Sequence, residues 1–335
     1  MKLRGAIFAM LAFVALVGGS VWFVALRPIP RFAEPKIVSI HPGESFTTVA
    51  RQLAHAGVVR SALWLIVQGK RSGRAARVKP GDYAFPGGES PTVVLNRLVS
   101  GDSMVVVVTI PEGMTAHQIG QRLAEAGLVC ASEFDAAVFD GVLTQALGLE
   151  GLGAEGFLFP ATYRFSPLAH VDEILAAMMA RFYAVLTPRV QAQMFARGLD
   201  ARQLVTLASI IEKEAKAPDE RPIIASVFYN RLAVGMPLQS DPTAQYNFAG
   251  ETERAVTAIK TASAFNTYLN AGLPPGPIAS PGLASIQAVL YPAPTDYLYF
   301  VARDDGTHVF SRSFKEHQRA IEDVRRGAAS TRAPR

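Results

Sequence analysis

The sequence has little cysteine, little charge and no pattern of metal ligands. Its single cysteine, Cys130, excludes an intramolecular disulfide and any zinc site built on paired cysteines. The six histidines are scattered with no H-x-x-x-H pair, so neither a metal nor another cofactor is expected. Only 18% of the 335 residues are charged and 50% are hydrophobic, which excludes a disordered chain and predicts a packed core.

A basic surface for nucleic acid is also missing, although the formal net charge is +5 and the pI is about 9.4. Residues 1–35 contain four basic residues and one acid, and residues 311–335 contain seven basic residues and three acids. The positive charge therefore belongs to the two ends, and residues 36–310 carry a net charge of −2. We expect no nucleic-acid partner, and recognition by the middle of the chain that rests on hydrogen bonds and ring contacts.

One long apolar run accounts for most of the positive mean hydropathy of +0.20. Residues 5–26 contain no charge and would form a helix about 33 Å long, which is enough to span a bilayer. Lys2 and Arg4 precede the run, so the positive-inside rule keeps the N-terminus in the cytoplasm. We predict a cytoplasmic tip and transmembrane anchor over residues 1–27. A cleaved signal peptide is the alternative, but no Ala-x-Ala site closes the run before Arg27.

The region after the run is rich in proline and then repetitive. Residues 28–35 are predicted to form a stiff tether. Residues 41–59 and 111–129 align at an offset of 70, and a strand pattern precedes each copy. Each copy has a turn glycine, a Ser/Thr cap, apolar residues at helical spacing and a glycine at the helix end. The sequence predicts a repeat of strand–turn–helix units over residues 36–130, and its spacing does not distinguish a packing module from a binding one.

From Glu133 onward the pattern is mainly helical. Helices are predicted over residues 174–186, 201–215 and 223–234, and a C-terminal β-hairpin and a basic amphipathic helix follow. We therefore predict an α+β fold, with a mainly helical domain over residues 131–325 and a flexible tail over residues 326–335.

Two glutamates on the helix predicted over residues 201–215 are the strongest candidates for chemistry. Asp200 and Gln203 are expected to cap this helix. At 100° per residue, Glu212 and Glu214 fall on opposite borders of its apolar face. One carboxylate is therefore expected at the edge of a cleft, and the spacing does not say which one. Two solvated carboxylates without a chemical role are the alternative.

Five segments resemble, in order along the chain, motifs of the endolytic murein transglycosylase family, membrane-anchored enzymes that cut peptidoglycan glycan strands. The segments are EGFLFPATY (155–163), LASIIEKEA (207–215), SVFYNRL (226–232), LQSDPTAQY (238–246) and NTYLNAGLPPGPIASPG (266–282). The resemblance covers almost the whole chain, including the N-terminal span and a LysM-like region in the repeat. It implies that Glu212, the first glutamate of the E-K-E pattern, is the catalytic acid of a catalytic domain over residues 131–325. This chain has Ala161 where the family usually has Asp, and Ala264–Phe265 where Pro–Tyr is common.

The resemblance also implies a reaction: cleavage of the MurNAc–GlcNAc β-1,4 bond of nascent strands, which leaves a 1,6-anhydro-MurNAc end and terminates elongation. Ordinary glycosidases use two carboxylates, but enzymes whose substrate supplies the nucleophile are exceptions. One glutamate suffices here, because it protonates the glycosidic oxygen and the sugar's own 6-hydroxyl closes the ring. Apolar neighbours at Leu204, Ala208 and Ile211 are expected to raise the pKa of Glu212 toward about 6.

Further candidates for substrate binding lie in predicted loops, where polar and aromatic side chains suit sugar hydroxyls and ring faces. The loop over residues 236–248 is followed by a longer one over residues 269–282, before a helix start at Ser280–Pro281. The candidates are Gln239, Ser240, Asp241, Thr243, Tyr246, Asn266, Tyr268 and Glu155. A structural role is the alternative: the segment from Ser240 to Pro242 can cap a turn, and Glu155 can cap its own loop.

Three functional hypotheses remain in view. The first is a single-pass enzyme of the bacterial inner membrane, with a cytoplasmic N-terminus and a periplasmic catalytic domain. Its expected partners are peptidoglycan glycan strands, the membrane and peptidoglycan synthases. The second is a noncatalytic peptidoglycan-binding scaffold of the synthesis machinery, and Glu212 in an intact motif favours the first. The third is a hydrolase, whose product differs from that of the lytic enzyme by one water.

Overall fold

The computed structural model describes residues 27–146, 148–149, 153–246 and 258–332, and these residues divide into two units. The first unit runs to Val106 and includes Ser166–Leu168, and the second contains Val107–Phe165 and the chain from Ala169 onward. Among the described residues no helix is both long and apolar enough to cross a membrane. The anchor predicted over residues 5–26 lies outside them, and the domain boundaries predicted from sequence stay a prediction.

The first unit is a two-stranded antiparallel sheet covered by helices. Its elements are β1 (Arg31–Ile40), α1 (Phe46–His55), α2 (Ala62–Arg71), a 3₁₀ turn (Ala75–Arg77), β2 (Gly81–Gly87) and α3 (Pro91–Ser100). The strands pair from Lys36 with Phe85 to Ile40 with Gly81. β1 begins at Arg31, inside the segment predicted as a tether, and its register shifts between Arg31 and Lys36. A core of buried side chains from both strands and all three helices joins them.

The second unit is mainly helical, with two small sheets. Its elements are β3 (Val106–Ile110), α4 (Ala116–Glu125), α5 (Ala131–Val138), α6 (Gly141–Ala146), β4 (Ala161–Phe165), α7 (Val171–Val185), α8 (Pro188–Ala196), α9 (Ala201–Glu214), a 3₁₀ turn (Pro218–Glu220), α10 (Arg221–Ala233), α11 (Asp241–Gln245), α12 (Leu283–Leu290), β5 (Tyr299–Ala302), β6 (His308–Ser311) and α13 (Phe314–Arg332). β3 pairs with β4, and β5 pairs with β6 in the predicted antiparallel hairpin. The α+β class is therefore confirmed.

The repeat predicted from sequence is present in the backbone. The turn glycines Gly43 and Gly113 have φ angles of 85° and 77°, a left-handed conformation that glycine adopts without strain. Ser45 then caps α1 by accepting from the Thr48 N–H, and Thr115 caps α4 by accepting from the Gln118 N–H. The two copies have the same turn and helix start, and the second copy belongs mostly to the second unit.

Helix α9 forms as its sequence predicts. Asp200 accepts from the Gln203 N–H and the Gln203 side chain accepts from the Asp200 N–H, which is the expected capping box. Every residue from Leu204 to Ile211 is buried. The helix therefore runs through the core of the unit and delivers Glu212 and Glu214 at its C-terminal end.

Two further local predictions differ from the structure. The loop predicted over residues 236–248 contains the short helix α11, and the helix predicted to start at Ser280–Pro281 starts at Leu283. The backbone around Ser280 is held extended, because the Ser280 N–H donates to Met114 O and Ser280 O accepts from the Gly113 N–H. These bonds to the turn before α4 delay the helix until after Gly282.

Candidate active site

Glu212 lies where three segments of the second unit meet. Its Oε1 is 3.3 Å from a guanidinium nitrogen of Arg221, at the first turn of α10. Its Oε2 accepts from the Gly282 N–H at 3.0 Å and from the Ser285 hydroxyl at 2.7 Å, both at the start of α12. The Glu212 side chain is 7% exposed, so it is not a solvated surface carboxylate. Both oxygens have donors, and such donors stabilise a carboxylate at this position.

The turn before α4 also contributes to this neighbourhood. A Cβ on Gly282 would overlap the carboxylate of Glu112, so that carboxylate lies directly against the Gly282 backbone. Lys213 donates to Gly113 O at 3.1 Å, which ties the same turn to α9. Glu112 itself is an exposed residue. The Glu212 site therefore has a second carboxylate on its solvent side.

The C-terminal hairpin holds the residue next to Arg221. Glu220 accepts from the His308 N–H at 3.0 Å, and His308 Nδ1 lies 2.6 Å from the other carboxylate oxygen of Glu220. Arg221 also donates through Nε to the Ser285 hydroxyl at 3.1 Å. The guanidinium is thereby fixed both by its own contact with α12 and by the attachment of the preceding residue to β6.

Glu214 faces a different set of side chains, on the opposite border of α9. Its Oε1 accepts from the Ser240 hydroxyl at 2.6 Å. Burial raises the pKa of Glu214 to about 7, and the hydrogen bond from Ser240 opposes that effect. Glu214 borders a cavity of about 410 Å³ whose walls include Arg231, Gln239, Asp241 and Tyr268. Four of the residues predicted to bind substrate thus lie around Glu214 rather than around Glu212: Gln239, Ser240, Asp241 and Tyr268.

The remaining predicted residues have structural contacts. Thr243 is buried and donates to Ser240 O at 2.7 Å, and Asn266 is buried and donates to backbone carbonyls of the segment before it. Tyr268 donates to Asp241 Oδ1 at 2.5 Å across the cavity mouth. None of the predicted binding residues is among the hydrogen-bond partners of Glu212 in the described chain, and their role toward substrate stays a prediction.

Glu155 is buried and pairs with the half-buried Tyr246. The Tyr246 hydroxyl donates to Glu155 Oε2 at 2.9 Å, and the Ala116 N–H at the start of α4 donates to both carboxylate oxygens at 3.1 Å. Burial raises the pKa of Glu155 to about 7, against the lowering effect of these donors. Glu155 therefore caps α4 from the side, and it also accepts from the Gly156 N–H at 3.2 Å, which is the cap of its own loop considered in the sequence.

Comparison of the sequence with known protein families shows to which family the chain belongs. The sequence matches the YceG-like family over residues 38–323, which is most of the chain. The chain belongs to the YceG-like family. The resemblance described from sequence motifs is confirmed, and so is the prediction, at the level of the family, that the chain is an enzyme of the lytic transglycosylase class.

Relatives with names support the same membership. An endolytic murein transglycosylase of Bacillus subtilis is 32% identical over 92% of this chain and 90% of its own length. An endolytic murein transglycosylase of Streptococcus pneumoniae is 29% identical over 95% of this chain, which spans 65% of that relative. A crystal structure of a YceG-like protein from Listeria monocytogenes has a TM-score of 0.60 and 28% identity, and covers 85% of this chain and 99% of its own.

Three residues beside Glu212 in this YceG-like chain were missed by the sequence reasoning: Glu112, Arg221 and Ser285. Arg221 directly precedes the helix-starting Pro222, and Ser285 lies in the first turn of α12. Glu112 had a signal in the repeat, since the first copy has Pro42 at the corresponding position. The signal that could have identified Glu112 was the replacement of a turn proline by a polar residue in only one copy of the repeat.

Proposed function

We propose that this protein is a membrane-anchored endolytic lytic transglycosylase of peptidoglycan with Glu212 as its catalytic acid. It cleaves the MurNAc–GlcNAc β-1,4 bond within nascent glycan strands, forms a 1,6-anhydro-MurNAc end and so terminates elongation. The observation that carries this proposal is the Glu212 carboxylate, held by Arg221, Ser285 and the Gly282 N–H at the end of a buried helix. The family membership supports the reaction class.

The chemistry uses one carboxyl group twice. Protonated Glu212 donates its proton to the glycosidic oxygen as the bond from that oxygen to the anomeric carbon of MurNAc breaks. The acetamido group of the same sugar stabilises the positive charge. The 6-hydroxyl of that sugar then bonds to the anomeric carbon, and its proton passes to the Glu212 carboxylate. No water is consumed, and the acid is regenerated for the next cycle.

The partners of Glu212 suit both of its states. After the first proton transfer, the Arg221 guanidinium and the two donors on Oε2 stabilise the carboxylate. Before it, the Ser285 hydroxyl is able to rotate and accept, because a hydroxyl is both donor and acceptor. General acid–base assistance of this kind contributes about 10²–10⁴ in rate.

The cellular setting of the proposal follows from the ends of the chain. The uncharged run over residues 5–26 supports a single-pass anchor in the bacterial inner membrane, with the N-terminus in the cytoplasm. The catalytic domain then lies in the periplasm, where glycan strands and peptidoglycan synthases are the partners. The LysM-like region is proposed to bind the glycan strand.

The decisive experiment compares Glu212→Gln with Glu214→Gln in the full chain. Purified protein is incubated with peptidoglycan sacculi, and the masses of the soluble fragments are measured by mass spectrometry. We expect Glu212→Gln to lose about 10²–10⁴ in the rate of release of anhydro-ended fragments. Glu214→Gln makes the same substitution two residues away and is expected to stay within about tenfold of wild type, because Glu214 binds Ser240 and shares none of the described partners of Glu212.

Each other outcome has a definite meaning. Full activity of Glu212→Gln contradicts the assignment, and loss of activity in Glu214→Gln alone transfers it to the cavity beside Gln239 and Asp241. Fragments heavier by one water indicate a hydrolase. Strand binding without any cleavage by wild type indicates a noncatalytic scaffold. Thermal unfolding of both variants checks that loss of activity is not loss of fold.

A further inference from the structure

The Glu212 site contains a second carboxyl group, which the proposed mechanism with a single acid does not use. Glu212 comes from α9, and Glu112 comes from the turn before α4, and both carboxylates lie against the Gly282 backbone. Arg221 is the cation in contact with Glu212, and its side chain is 13% exposed. Its ion pair is with Glu212, and its charge acts on Glu112 from farther away.

The other charged group in this neighbourhood contributes little. Lys213 is the neighbour of Glu212 on α9, and its ammonium donates to Gly113 O on the turn that carries Glu112. Its ammonium is bound to that carbonyl, and the charges that shift the pKa of Glu112 are those of Glu212 and Arg221. The charged groups that face the pair are thus Arg221 from α10 and Lys213 from α9, and α12 contributes only the neutral Ser285 and Gly282 N–H.

The electrostatics of Glu112 agree with this geometry. Partial burial raises the pKa of the Glu112 carboxyl, the negative charge of Glu212 raises it further, and Arg221 opposes both effects. Two carboxyl groups that lie close together release their protons in two steps, and the second step belongs to the pair rather than to either residue. Glu112 is therefore suited to keep its proton to higher pH than an isolated glutamate.

We propose that Glu112 and Glu212 form a carboxyl pair that holds one proton, with Glu112 as the positioning residue that keeps this proton available to the catalytic acid. The inference rests on the proposed function, since it concerns the acid that starts glycan cleavage. It addresses a problem of that function: donors and a guanidinium around Glu212 stabilise its charged form, whereas an acid must begin protonated. The negative charge of Glu112 offsets Arg221 and favours the protonated pair.

The backbone of Gly282 makes this arrangement possible. Its N–H donates to Glu212, and its Cα surface is the contact for Glu112, where any side chain would overlap the carboxylate. A methyl group on residue 282 therefore displaces the Glu112 carboxyl and leaves both acids in the sequence. This gives a second way to break the pair without removing a charge.

The test measures the rate of release of anhydro-ended fragments from sacculi by the full chain between pH 5 and 9. We expect the alkaline limb of the Glu112→Gln profile to move to lower pH by about one unit, which is up to tenfold less activity at pH 8, with little change at pH 5.5. Gly282→Ala is expected to move the limb in the same direction, and Glu112→Asp to restore part of the wild-type profile. Glu125→Gln, an exposed residue on α4, is the matched control and is expected to follow wild type.

The outcomes separate this inference from the function on which it rests. If wild type releases anhydro-ended fragments and Glu212→Gln does not, the proposed function stands. A Glu112→Gln profile that superimposes on wild type, or a loss of rate that is equal at every pH, then overturns the carboxyl pair alone. If wild type releases no such fragments, the proposed function fails and the pair fails with it. If Glu112→Gln does not fold, the profile of Gly282→Ala decides.

Discussion

At the scale of single residues, two glutamates in the described part of the chain have raised pKa values outside the Glu212 site. Glu155 and Glu214 each have a pKa of about 7, and burial is the main cause for both. An acid whose pKa is higher in the folded state binds more protons folded than unfolded between its two pKa values. Its contribution to stability is therefore lost as pH rises from about 4.5 to about 7.

Glu155→Gln tests this at one residue. Gln keeps the shape of a protonated glutamate, accepts from the Ala116 N–H and donates to Tyr246. We expect the free energy of unfolding of wild type, relative to Glu155→Gln, to fall by up to about 3 kcal/mol between pH 5 and pH 8. Urea titrations of both proteins at the two pH values measure it. A difference that is constant with pH shows that Glu155 stays charged in the folded protein.

At the scale of elements, the repeat contains two equivalent turns that make different contacts. The turn at Gly43 begins α1, whereas the turn at Gly113 begins α4 and also pairs with Ser280 and Lys213. Alanine at either position is strained by the left-handed backbone, and each change is expected to cost about 1–2 kcal/mol of stability. A Cβ at Gly113 would lie 3.7 Å from Glu212 Cγ, which is an ordinary contact.

The two variants are therefore expected to differ in activity rather than in stability. Gly43→Ala retains the wild-type rate of glycan cleavage, and Gly113→Ala lowers it about tenfold, because the strained turn carries Glu112. Denaturant unfolding and fragment release measured on the same preparations separate the two effects. Equal cleavage rates for both variants would show that the turn before α4 does not contribute to activity at the site.

The elements also show what a sequence predicts and what it leaves out. Periodicity and the Asp200–Gln203 cap predict α9, and 100° per residue predicts that Glu212 and Glu214 face opposite ways. The partners that meet them do not follow from periodicity, since it gives the direction of a side chain but not the element that covers it. Arg221 and Ser285 reach Glu212 through tertiary packing, and Ser240 reaches Glu214 in the same way. The sequence thus predicts the acid of the site but not the residues that surround it.

At the scale of the whole molecule, the two ends of the chain are basic and its middle is slightly acidic. The apolar run next to the N-terminal charges carries the proposed anchor. A charged side chain at the centre of a membrane helix costs about 2.5–3.5 kcal/mol. Val14→Arg combined with Val17→Arg is therefore expected to release the protein from the membrane fraction into the soluble one, and Val14→Leu combined with Val17→Leu is expected to leave it there.

Cell fractionation followed by immunoblotting reads this result, and extraction with detergent distinguishes an inserted chain from a peripheral one. Recovery of the unaltered chain in the soluble fraction would contradict the anchor and favour cleavage of the run as a signal peptide.

The link between Glu220 and His308 places a condition on the order of synthesis. The two residues are 88 positions apart, and His308 belongs to the hairpin near the end of the chain. While the chain is being made, α9 is complete before the hairpin exists. Glu220, the neighbour of Arg221, has no hairpin partner during that interval. The surroundings of the candidate acid are therefore completed only after the chain has been extended by a further 88 residues beyond Glu220.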